Sequence, residues 1–82
     1  MNTAEQAYDD FIANIDTSVA GSDQYGDLRW HVACSAEANA GDMQAEGSAE
    51  ATDTGFYEAA LSTARSCVDC WQDYYPQLRK AA

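Results

Sequence analysis

The chain is nearly devoid of positive charge: four Lys and Arg stand against fourteen Asp and Glu in 82 residues, a formal net charge of -10. A surface of that sign repels DNA, RNA and anionic lipid and is drawn to basic surfaces, which argues against direct nucleic-acid binding and against a membrane-surface role. Long apolar runs are missing too. Nothing approaches the roughly 18 residues of a spanning helix, and no charged-then-apolar leader opens the chain, so it reads as a soluble cytoplasmic protein. Cysteine is scarce and odd in number, at three. That count argues against a disulfide scaffold and leaves thiols or metal ligands in a reducing compartment. There is no period-2 alternation of any length, no internal repeat and no β-branched run, which removes the usual signs of a sheet.

What remains is helical. The expected architecture is one all-α domain over residues 1–82, a small three-helix bundle in which helices 2 and 3 form an antiparallel hairpin covered by helix 1. Thr3 suits an N-cap, Glu5 falls in the first turn, and Ala4, Tyr8, Phe11, Ile12, Ile15 and Val19 recur at three and four to give an apolar face. Residues 17–26, with Gly21, Ser22 and Gly26, read as a loop. The second helix is expected to begin between Ser22 and Asp27 and to carry Leu28, Val32, Ser35, Ala36 and Asn39 on one face. Gly41 leaves two readings open, a C-cap that ends the helix or an interior position costing about 1 kcal/mol relative to Ala. The third helix is capped by Asp53 or Thr54. It carries a stripe of Tyr57, Ala60, Leu61, Ala64, Val68, Trp71, Tyr75 and Leu78, with Pro76 ending or kinking it. A chain this short buries roughly 60 to 65% of its unfolded surface, so the core is thin, and dimerisation, a metal or a large partner could each support it.

The single histidine and all three cysteines fall in two answering pairs, His31-x-x-Cys34 and Cys67-x-x-Cys70. Positions 34 and 67 share their midpoint with 31 and 70. A hairpin turning near residues 48–53, where Gly47, Ser48, Thr52, Asp53 and Thr54 cluster, would therefore bring the four side chains level. One histidine and three cysteines make a tetrahedral zinc donor set, so structural zinc held by His31, Cys34, Cys67 and Cys70 is one reading, closed to catalysis because no coordination position stays open. Plain packing is the competing one, since Cys is among the most buried residue types, and each pair lies within a helix rather than on a knuckle turn. A thioredoxin-type role for Cys67-x-x-Cys70 is disfavoured by its place near a helix middle. A His31/Cys34 nucleophilic dyad is disfavoured by the lack of a third orienting group.

The acids are laid out in two stretches without any Lys or Arg, residues 1–28 and 30–64, each holding six carboxylates. If the second helix runs to Gly47, Asp42, Glu46, Glu50 and Asp53 form one ridge at helical spacing, beside a second stripe of Glu5, Asp9 and Asp16. An i,i+4 step advances about 6 Å, close to the separation of successive phosphates, so such a ridge could occupy an arginine-lined nucleic-acid channel. Residues 42–53 lack the Asp-x-Asn/Asp-x-Asn/Asp-Gly pattern of a calcium loop. In its small size, acidity and helicity the chain is similar to phage-encoded inhibitors of nucleic-acid-handling complexes, such as anti-CRISPR and anti-restriction proteins, with no shared motif. That likeness implies action in a host cytoplasm.

The expected function is thus stoichiometric rather than catalytic. The chain reads as an inhibitor or adaptor docking on the basic surface of a protein, with no cofactor, through those carboxylates and with Trp30 and Tyr74 as aromatic anchors. The alternatives are the zinc-stapled module and a metal-free homodimeric bundle.

Overall fold

In a computed structural model of the chain, which describes residues 3–15 and 28–74, three helices and no strands are present among the described residues. Thr3 starts the first, α1 (Ala4–Ala13). Its backbone is extended and its hydroxyl accepts from the Gln6 N–H at 3.1 Å, satisfying a donor that the first turn leaves orphaned. Asn14 ends α1, its backbone N–H and its side-chain amide both donating to the Asp10 carbonyl.

The second helix, α2 (Leu28–Glu46), passes straight through Gly41 and stops at Gly47. Gly47 has φ +82°, the left-handed region open to glycine at little cost. Around it the Ser48 N–H donates to the Met43 carbonyl at 2.8 Å and the Gly47 N–H to the Gln44 carbonyl at 3.2 Å, the paired bonds of a Schellman stop. Gln44 then ties the connection 47–52 down, its side-chain amide donating to the Glu50 and Thr52 carbonyls.

The third helix, α3 (Asp53–Tyr74), is capped one residue earlier than expected. Thr52, not Asp53 or Thr54, takes the cap, because its hydroxyl reaches the Gly55 N–H at 3.0 Å. Asp53 is left in the first turn, where the helix dipole favours a negative charge. Gly55 is required for close approach: a β-carbon there would collide with the Glu50 carbonyl.

The core is small-residue packing. Val32, Ala36 and Ala40 of α2 and Ala59, Ala60 and Ala64 of α3 are buried, and α2 with α3 forms the most extensive interface. The two helices run antiparallel about the 47–52 connection, and the Asn39 amide bridges them to the Thr63 hydroxyl at 2.7 Å. α1 lies against both, more on α3, contributing buried Tyr8 and half-buried Phe11, Ile12 and Ile15. On α2 the buried stripe departs from the expected face: Ser35 and Asn39 are exposed and Ala40 is buried. Alanine rather than leucine forms the contact, so the seam is set by where helices approach closest, and it is turned roughly 50° around α2 from the centre of the Leu28/Val32/Ser35/Ala36/Asn39 face. Val19, Tyr75, Pro76, Leu78 and the loop at 17–26 lie outside the described residues.

The glycine inside α2 and the one that ends it should respond with opposite sign. Gly41 is exposed and helical, and a β-carbon there meets nothing, so Gly41→Ala should stabilise by about 0.5 to 1 kcal/mol. Gly47→Ala, forced into the left-handed region, should destabilise by about 1 to 2 kcal/mol. Urea midpoints of the two variants check both signs.

Candidate functional site: an acidic helical surface

The carboxylates whose exposure is described are on the outside. Glu5, Asp9, Asp10, Glu37, Asp42, Glu46, Glu50, Asp53, Glu58 and Asp69 are all exposed, against Arg29 and Arg65 as the only Lys or Arg among the described residues. Arg65 lies 5.9 Å from the ring centre of Phe11, a cation–π contact between α3 and α1 at the exposed edge of the bundle.

Helix geometry divides these acids into groups. On α2, Glu37 lies about 100° to one side of Ala36, while Asp42 and Glu46 lie about 120° and 80° to the other. α1 occupies the Glu37 side, since the buried Tyr8 hydroxyl donates to Glu37 Oε2 at 2.9 Å. The predicted four-carboxylate ridge is therefore not one helical row. α2 ends at Glu46, Glu50 belongs to the connection and Asp53 opens α3, so only Asp42 and Glu46 share helical spacing. A different set converges instead. The Tyr57 phenol is pushed above its ordinary range chiefly by the charge of Glu5, then by burial and by Asp9, Glu37 and Asp53. Those four acids come from three helices and face one ring. Glu37 is the member that sequence reasoning missed, and its seven-residue offset from Trp30, which aligns the two along α2, was the available signal.

Aromatic rings tie this face to the core. Tyr57 sits 5.7 Å from the Tyr8 ring and edge-on to Phe56 at 5.2 Å. Burial is the first reason, and the bond to Glu37 the second, that the Tyr8 phenol holds its proton well above the ordinary tyrosine range. Trp30 is 67% exposed on the same side of α2 as Glu37. Tyr74 is the last residue of α3, and Asp16 lies outside the described residues.

Two shallow grooves flank the start of α3. One is lined by Thr3, Ala4, Glu5, Asp53, Thr54 and Tyr57. The other, on the opposite flank, is lined by Met43, Ser48, Ala49, Glu50, Gly55, Glu58 and Ala59. Each joins an apolar or aromatic floor to two carboxylates.

The histidine and cysteines are not gathered. Among the described residues no three His, Cys, Asp or Glu side chains are placed to hold one metal ion. The hairpin does bring the two pairs near one level, as the Asn39–Thr63 bridge shows. The angle is what departs. With the seam at Ala36, His31 and Cys34 point roughly 140° and 160° away from it, and both are exposed. Cys67 instead packs half-buried at the edge of the core, where burial, and secondarily Cys70, raises its thiol pKa; Cys70 is exposed. A raised pKa leaves less thiolate at neutral pH, the reverse of what a nucleophile or ligand needs. No helix among the described residues is long and apolar enough to cross a membrane.

A proton held more tightly in the folded state than in the unfolded one stabilises fully below the unfolded pKa, and that stability drains away as pH rises beyond it. For Tyr8 the loss should begin near pH 10. Tyr8→Phe should cost about 1 kcal/mol at pH 7 through the lost bond to Glu37 and should flatten the decline in stability above pH 10, as read by urea denaturation across pH. Protein purified without chelator should carry less than about a tenth of an equivalent of zinc, and EDTA should leave its far-UV circular dichroism unchanged.

No protein family matches the chain, and no curated protein or solved structure matches it.

Proposed function

We propose that this chain is a non-catalytic binding protein, an inhibitor or adaptor, that docks its carboxylate face on the basic surface of a protein partner. The observation that carries the reading is that all ten carboxylates whose exposure is described face solvent, with Glu5 and Asp53 lining the Tyr57 groove and Glu37 bonded to Tyr8 beside that ring. Like charges brought together on a thin core repel one another, a cost that a basic partner would relieve. Exposed Trp30 on the Glu37 side supplies an aromatic anchor of the kind that dominates interface energetics. A partner whose basic surface ordinarily holds nucleic acid fits this charge, which makes nucleic-acid mimicry the natural form of inhibition; direct binding to nucleic acid does not fit it. A second copy of the chain is the poorer occupant, because association would bring two charges of -10 together.

Capture from extract of the source cell at low salt, with mass spectrometry, should yield a protein with a basic surface. Its affinity should fall by about tenfold or more between 50 and 300 mM NaCl. Charge reversal separates the two acidic flanks: Glu5→Lys with Asp9→Lys on one, Asp42→Lys with Glu46→Lys on the other. At least one pair should weaken binding about tenfold. Salt-independent binding, or unchanged affinity in both variants, sinks the reading.

A further inference from the structure

The two grooves at the turn end of the bundle say more about the partner than net charge does. They sit on opposite flanks of the first two turns of α3, and the carboxylates in them differ in electrostatic setting. In the first groove, Glu5 and Asp53 stand in the first turns of α1 and α3, whose N-termini each carry roughly half a positive charge. Two negative charges against about one positive leave that groove only mildly negative. The second groove lies between the C-terminus of α2 and, through Gly55, the first turn of α3, so the two opposite half-charges offset and Glu50 and Glu58 keep nearly their full charge. It is the stronger cation site.

Their floors differ as well. Met43, Ala49 and Ala59 give the second groove an apolar bed that suits the methylene stem of a long basic side chain while its head meets carboxylates. Tyr57 gives the first a ring on which a guanidinium can lie, an arrangement the molecule already uses where Arg65 meets Phe11.

We propose that the turn end of the bundle is a two-groove dock for a basic segment of a partner protein, one Arg or Lys side chain entering on each flank of α3, with the Met43 groove the tighter of the two. This rests on the charge-driven binding proposed above and adds to it where the partner sits and what it inserts.

Calorimetric titration with a ten-residue peptide of alternating Arg and Gly, and with its neutral citrulline counterpart, tests it at low salt. The Arg peptide should bind and the citrulline peptide should not. E50Q/E58Q should weaken binding at least about fivefold, the upper range for exposed charge pairs, and E5Q/D53N should weaken it less. D10N/D69N removes the same charge outside both grooves, at exposed acids, and should change affinity less than about twofold. Thermal melts of the three variants keep folding separate from binding. Equal weakening by all three pairs, or binding of the citrulline peptide, overturns the dock. Either result leaves salt-dependent capture of a basic partner as an independent question, so the two proposals fail separately.

Discussion

Close approach of α2 and α3 along alanine is the constraint from which the rest follows. Val32, Ala36 and Ala40 meet Ala59, Ala60 and Ala64, and side chains this small bring the helix axes together without burying much apolar area. The hairpin is consequently tight in geometry and thin in energy. Its ends have to be fixed by local devices: the left-handed Gly47, the Gln44 bonds into the connection, the Thr52 cap and the missing β-carbon at Gly55. The larger apolar groups are displaced to the flank, where α1 brings Tyr8, Phe11 and Ile12 against Tyr57 and Leu61.

That displacement shapes the surface. An aromatic flank with a polar edge must satisfy its hydroxyl, and Tyr8 does so through Glu37, which fixes a carboxylate beside the rings instead of leaving it to wander in solvent. Once Glu37 is held there, α1 brings Glu5 and Asp9 and the start of α3 brings Asp53 to the same ring. The nearness of these charges is thus a by-product of how aromatic area is packed on an alanine hairpin, and it is carried on helices rather than on an acidic tail.

Sequence periodicity captured what depends on large apolar residues at helical spacing. The α1 stripe, the α3 stripe as far as Val68, the Thr3 cap and the reversal near residue 50 were all legible, because each has a strong local cause. α2 was not legible in the same way. Its hydrophobic content is low, and Leu28, Val32, Ser35, Ala36, Ala40 and Met43 could have defined a seam at more than one angle. Only the positions that allow close contact with Ala60 and Ala64 choose among them, and that choice is tertiary. A rotation of roughly 50° was enough to carry His31 and Cys34 away from Cys67 and to set Asp42 and Glu46 on the flank opposite Glu37.

The same rotation bears on specificity. Had the acids formed one straight row, the chain would present a line of evenly spaced negative charge, and any cationic surface of sufficient length would match it. Division by α1 gives two flanks of different composition, one with rings among its carboxylates and one without. At the turn end each flank offers a groove, one beside the N-termini of two helices and one between a C-terminus and an N-terminus. Net charge of -10 sets how strongly basic surfaces are attracted from a distance. Within about 8 to 10 Å of the surface, where salt no longer screens the difference, the two flanks present unequal fields. A bundle with a thin core thus still carries two acidic flanks that differ in shape and in the side chains among their carboxylates.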